Sequence, residues 1–250
     1  MKKVVLLFVL LCVGFAASAQ EAEETAKPTK QVRKKFFNIS YVSDKIKISD
    51  GSFSLGDVVD EVGGIANDKN SGVKNNWGIS LTRGRSYMLH KKPIARLISI
   101  GIDASFFDVT YSKYSAAPVL LGATIGDMDP DNIDENSDEY KSLAEEQDFH
   151  KIEYSFQVGP SITITPGKKV TIEAYFRFAP TFSCMYVDSS FSGNYASMFV
   201  TGASVAYGRI GVGLEARLGS CKYKNFSGDL DFSNNKIKTS GFRAFLQFRF

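Results

Sequence analysis

The residues best equipped for chemistry fall into three groups. Charged side chains recur at every second position of otherwise apolar segments: Asp103, Glu153, Glu173, Arg177, Glu215, Arg217, Arg243 and Arg249. Four acids and four bases on one face form an ion-pair network, and counting up from the nearest turns brings Arg177, Glu215, Arg217 and Arg243 to similar heights. The second group is an acidic stretch, ten acids between Asp127 and Asp148 against one lysine. Within it Asp127, Asp129, Asp131, Glu135 and Asp138 take positions 1, 3, 5, 9 and 12 of a calcium-type loop, where a hard cation finds oxygen ligands. A solvated acidic loop is the alternative, and calorimetry with calcium separates the two. The third group is Cys184 and Cys221, which either tie two loops together or stand as two free thiols; mass measurement without reductant distinguishes them.

Catalysis finds little support. His90 falls in a turn, and His150 has no serine or carboxylate at a spacing that makes it a general base for a defined nucleophile. No enzymatic activity is expected.

What positions these groups is visible in the periodicity. Lys2 and Lys3, the apolar run Val4 to Phe15 and the small residues Ala17-Ser18-Ala19 read as an export signal over residues 1–19. Residues 20–35 carry charges of both signs and almost nothing apolar, the composition of a disordered tail, here expected in the periplasm. From Phe36 to Phe250 the period is two, as in strands with one apolar and one polar face. Ile152, Tyr154, Phe156, Val158, Ile162 and Ile164 alternate with Glu153, Ser155, Gln157, Gly159, Ser161 and Thr163. Segments near 170–182, 210–219 and 242–250 repeat the pattern, and earlier strands are expected at 37–43, 77–89 and 94–111, with Ile98, Ile100, Ile102, Ala104 and Phe106 on one side. A strand at 196–207 with unassigned faces makes eight.

The connections alternate in length. His90 to Pro93, Pro166 to Lys169 and Tyr207 to Arg209 are tight; 44–75, 112–148, 184–195 and 221–236 are long. Short turns on one side and long loops on the other are the layout of an outer-membrane barrel. After the signal no run of about 18 apolar residues exists, so a helical span is excluded and a membrane form must be a closed barrel. A soluble barrel would have a greasy inside; here the apolar faces are continuous and large while the other face holds the charge. The fold expected is therefore an all-β, closed, antiparallel transmembrane β-barrel, an up-and-down meander of eight strands. Trp77, Phe106, Phe107, Tyr111, Phe149, Phe182 and Tyr186 would supply one aromatic girdle, and Phe245, Phe248 and Phe250 the other.

Two features strain this scheme. Arg83 and Arg85 share the parity of Trp77, Ile79 and Leu81, so either they lie at the turn-side interface or a bulge reverses them. Pro160 and Pro180 sit inside strands, where bulges are expected.

The last strand ends on Phe250 with Phe248 and Leu246 at alternate places before it, and this resembles the C-terminal signal that the barrel assembly machinery reads. With the export signal and the loop asymmetry, the chain resembles the small OmpA/OmpX-type barrels and the PorT-like outer-membrane barrels over residues 36–250. The resemblance implies the outer membrane of a Gram-negative bacterium, reached through the periplasm, with outer-membrane lipid as surroundings and the assembly machinery as a partner in biogenesis. The acidic loop is similar to EF-hand and thrombospondin-type calcium loops, departing at Asn132 and Asp138. The last strand lacks the His-x-Ser pattern of lipid A deacylases.

The function expected is structural or interactive, carried by the long loops and an extracellular ligand or protein. The alternatives are a narrow porin-like channel for small solutes and, third, a lipid-modifying enzyme at the rim using His150. With a net charge of +3 and an export signal, nucleic acid is not an expected partner, and no cofactor beyond calcium is implied.

Overall fold

The computed structural model describes residues 34–49, 72–90, 92–95, 97–117, 124–125, 146–167, 169–187, 190–227, 230–231 and 236–250. Eight long strands carry the fold: β1 (Lys35–Ser49), β2 (Val73–Met88), β3 (Ile98–Ala116), β5 (Gln147–Ile164), β6 (Val170–Val187), β7 (Ser190–Tyr207), β8 (Ile210–Lys222) and β11 (Lys236–Arg249). Each pairs antiparallel with the next, and β11 pairs with β1, so the sheet closes into a barrel. Short pieces lie among them: β4 (Thr124–Ile125) pairs with β10 (Leu230–Asp231), and β9 (Lys224–Ser227) adds to the upper part of β7. Among the described residues no helix is long and apolar enough to cross a membrane.

Closure fixes the tilt. The row of paired residues that leaves β1 at Lys35 runs through Arg85, Ala104, Val158, Phe178, Phe199, Leu218 and Ser240 and returns to β1 at Lys45, ten residues further on. That stagger on eight strands tilts them by about 40° from the barrel axis. The nine residues Ile210–Leu218 carry an unbroken outward apolar row on β8. At about 3.4 Å per residue and this tilt they rise about 23 Å, close to the ~25 Å apolar band of outer-membrane barrels.

The burial pattern is inside out relative to a soluble barrel. Ile79, Leu81, Ile100, Ile152, Phe176, Val212, Leu214 and Phe242 are exposed on the outer wall, whereas serines, threonines and charged side chains are buried in the lumen. On β7, whose faces the periodicity leaves open, Ala196, Met198, Val200 and Ser204 point in, while Thr201, Ala203 and Tyr207 point out.

Several expectations are corrected. The hairpin β6–β7 stays paired through Val187 and Ser190, so 184–195 is no long loop but strand rising beyond the apolar band. Asp44 to Ser49 and Val73 to Asn75 likewise extend strands. Phe149 and Phe245 are buried inside and leave the girdles. Pro160 and Pro180 make no bulge in the β5–β6 pairing, which skips residues around them with its register unchanged, because a missing N–H removes a bond without adding a residue. Irregularities lie elsewhere: a bulge in β3 at Phe106-Phe107, both of which face out, and register shifts between Asn75 and Trp77 in the β2–β3 pairing and between Tyr41 and Lys45 in the β1–β2 pairing. Arg83 and Arg85 keep their outward parity and pair with Phe37 and Lys35 towards the turn-side end of β1, the first of their two alternatives.

Candidate functional site: the lumen and its rim

Each strand delivers every second side chain to the axis, so the lumen chemistry is set by parity. All eight charged residues expected there are buried inside. Nearest the turns, Arg249 pairs with Glu173, and its Nε donates to Oε1 of Gln247 on the same strand at 2.7 Å. Above them Arg177 meets Asp103 at 2.8 Å, and its guanidinium lies 3.6 Å from the centre of the Tyr175 ring and 5.1 Å from that of Phe36. Arg243 bridges Asp108 at 3.0 Å and Glu215 at 3.3 Å. Arg217 holds Glu153 at 2.7 Å, and Glu153 is shared with Lys151 at 3.2 Å. Lys151 is also 3.7 Å from Asp44.

Neutral donors complete the lattice. Ser80 and Thr82 each donate to Asp108 at 2.9 Å, Gln157 Nε2 at 2.7 Å, and Tyr175 donates to Glu215 at 2.8 Å. Charges buried this deeply persist because every carboxylate has a cation or several donors in contact.

Three members of the lattice escape the sequence reading: Asp44, Asp108 and Lys151. Lys151 shares the parity of Glu153, so its signal was present. Asp108 was hidden by the β3 bulge, which reverses parity between Phe106 and Asp108. Asp44 was hidden by the unexpected length of β1.

At the loop end the lattice is capped by a second, apolar layer. Tyr114 and Phe149 stack with ring centres 4.9 Å apart, and Ile46, Met185, Val187, Tyr223 and Ile237 are buried around them. No periodicity announces this layer, because apolar side chains at inward positions look like errors of register until the barrel closes.

The remaining candidates lie elsewhere. Cys184 and Cys221 are free thiols, which corrects the disulfide: Cys184 follows the outward parity of β6, Cys221 the inward parity of β8, and β7 lies between. The intact chain without reductant is expected to show the mass of two free thiols; a mass lowered by two hydrogens would refute this. Asp127, Asp129, Asp131, Glu135 and Asp138 lie outside the described residues. Phe250 exchanges backbone hydrogen bonds of 3.1 Å with Lys35 and so zips the seam, with Leu246 exposed outside. His150 faces out, its Nδ1 2.7 Å from the Tyr111 hydroxyl with the two rings stacked, while His90 Nε2 accepts from the backbone of Ile100 in a turn.

A closed eight-stranded meander with an apolar outer wall and a polar, filled lumen defines an outer-membrane-type β-barrel fold. The chain is similar in structure to Neisserial surface protein A at 12% identity and a TM-score of 0.42, over 86% of this chain and 97% of that one. It is similar to Ail of Yersinia pestis, solved with the heparin analogue sucrose octasulfate, at 12% identity and a TM-score of 0.35 over 87% and 100%. A third likeness is to the outer membrane protease OmpT of Escherichia coli, at 8% identity and a TM-score of 0.41 over 91% and 99%. No protein-family profile matches the sequence, and no curated protein matches it.

Proposed function

We propose that this protein is a non-enzymatic barrel of the Gram-negative outer membrane that works as a rigid, closed platform, presenting its loop-side extensions to an extracellular partner. The observation that carries this reading is the double seal of the lumen, an ion-pair lattice topped by the Tyr114–Phe149 layer. An eight-stranded barrel is only wide enough for side chains to fill it, and here they do. Export through the periplasm and handling of Phe250, Phe248 and Leu246 by the assembly machinery belong to the same proposal.

The extensions favour an interaction role. β6, β7 and β9 continue past the apolar band and carry exposed aromatics, Tyr186, Phe191 and Phe226, the last two with ring centres 5.9 Å apart. Exposed aromatic side chains away from lipid are the usual anchors of protein contacts.

Planar-bilayer recording tests the seal. The wild-type barrel is expected to show no stable unit conductance, and Tyr114→Ala with Phe149→Ala is expected to stay silent, because the charged lattice beneath remains. Steady ohmic steps from the wild type would establish the channel alternative. Lipid analysis after His150→Ala tests the enzymatic one, with an unchanged lipid profile expected.

A further inference from the structure

Outward charge in the turn-side half of the barrel is confined to two neighbouring strands. Lys35 on β1 and Arg83 and Arg85 on β2 are exposed on the outer wall. The other six long strands turn the charges of this half inward, Asp103, Glu173, Arg177, Arg243 and Arg249 among them. The register sets Lys35 directly opposite Arg85, and Arg83 opposite Phe37, two residues further along β1. At about 3.4 Å per residue and the tilt given above, Arg83 stands roughly 5 Å deeper in the apolar wall than Lys35. Phe37 and Phe107 flank it on the strands to either side.

Like charges directly across a sheet are unfavourable, and a guanidinium among apolar side chains is costly without an anion. The strands supply none here. Of the acids on the eight long strands, all but Asp148 are buried in the lumen, and Asp148 lies at the loop end, 2.6 Å from Lys113. Among the described residues no acidic side chain pairs with Lys35, Arg83 or Arg85. The contact Arg85 does make is with the ring of Tyr87, 5.3 Å from its guanidinium carbon. The adjoining turns add Lys91, Lys92, Arg96, Lys168, Lys169 and Arg209 and no acid, so the outside of this end is basic throughout.

Depth selects the ligand. A soluble anion meets the turn lysines in water, but Arg83 lies among Phe37, Leu81 and Phe107, and an anion that reaches it must bring an apolar body of its own. A glycerophospholipid does so, because its phosphodiester sits where headgroup meets acyl chain. A zwitterionic headgroup would also bring an ammonium against Lys35 and the turn lysines, whereas phosphatidylglycerol brings only the negative charge.

We infer that this wall holds an anionic glycerophospholipid of the turn-side leaflet, its phosphodiester between Lys35, Arg83 and Arg85 and its acyl chains along Phe37, Leu81 and Phe107. The inference rests on the outer-membrane reading above. Free phosphate shares the anionic chemistry, and Glu21, Glu23 and Glu24 of the chain's own N-terminal segment share the charge; both are outcomes that compete.

The test refolds the full mature chain into vesicles of equal parts phosphatidylcholine and phosphatidylglycerol, transfers it to mild detergent and counts the retained lipids by native mass spectrometry. Folding is followed separately by heat-modifiable gel migration. Basic residues at a membrane surface each attract anionic lipid, so wild type is expected to retain phosphatidylglycerol about tenfold better than phosphatidylcholine. Lys35→Gln, Arg83→Gln and Arg85→Gln combined is expected to lose that preference. Lys92→Gln, Lys169→Gln and Arg209→Gln combined removes the same charge from the turns and is expected to keep it. Equal retention by folded wild type and the first triple variant overturns the inference while leaving the barrel intact. Equal loss in both triple variants overturns it in favour of a diffuse attraction to the rim. Release of the lipid by inorganic phosphate at matched concentration overturns it in favour of a soluble anion. A preference absent from wild type but gained by Glu21→Gln, Glu23→Gln and Glu24→Gln combined overturns it in favour of the N-terminal segment. A chain that never acquires the heat-modifiable form overturns the membrane reading and the inference together.

Discussion

Arg243→Met is expected to lower the stability of the refolded barrel by about 3 kcal/mol, the lower end of the ~3–5 kcal/mol seen when one partner of a buried ion pair is removed. Arg243 touches two buried carboxylates, Asp108 at 3.0 Å and Glu215 at 3.3 Å. Methionine fills much of the same volume, so the cost is electrostatic rather than a cavity. What limits the loss is the neutral support that stays behind. Asp108 keeps donors from Ser80, Thr82 and Gln157, and Glu215 keeps the Tyr175 hydroxyl. A hydrogen bond to a charged group contributes about 1.5–3 kcal/mol, enough to hold part of the site together.

Adding Asp108→Asn and Glu215→Gln to Arg243→Met is expected to restore most of the loss, because no charge is then left without its partner. Urea unfolding in detergent micelles, followed by gel migration, measures both variants. A single variant within about 0.5 kcal/mol of wild type would mean that water reaches these carboxylates and the lumen is not sealed.

The second large effect lies on the other face of the same wall. Leu214 is 51% exposed and sits at the middle of the outward row Ile210–Leu218, between Ala203 and Ala244 on the flanking strands. Leu214→Arg is expected to cost about 2–4 kcal/mol in a bilayer, the depth-dependent penalty for arginine at the midplane. In urea without lipid the same change is expected to be nearly neutral, since an exposed leucine loses little when replaced. Arg83→Leu, near the turn-side end, is expected to change bilayer stability by about 1 kcal/mol or less, because a long side chain there reaches the interface. Equal effects of Leu214→Arg in bilayer and in lipid-free solution would remove the outer wall from the membrane.

These predictions draw on different amounts of foresight. The alternation of apolar and charged residues in β5, β6, β8 and β11 is local, so the direction of Glu153, Arg177, Glu215 and Arg243 could be read directly. Their partners could not. Arg243 and Asp108 are 135 residues apart, and only closure of β11 onto β1 sets them across the lumen.

The bulge at Phe106-Phe107 hid Asp108, since one extra residue in a strand reverses everything beyond it. The rise of β6 and β7 past the membrane was hidden too. Cys184 to Tyr195 reads as a loop by composition, and only cross-strand bonding to the facing residues makes it a hairpin.

Period-two patterning and the charge it segregates are properties of neighbouring residues, so closure of strands with one apolar and one charged face into a barrel is legible along the chain. Tertiary structure alone decided what the barrel's surfaces offer. The capped lumen brings together Ile46 of β1, Tyr114 of β3, Phe149 of β5 and Tyr223 just past the end of β8. That meeting depends on a stagger of ten residues around eight strands, a quantity that no single strand contains.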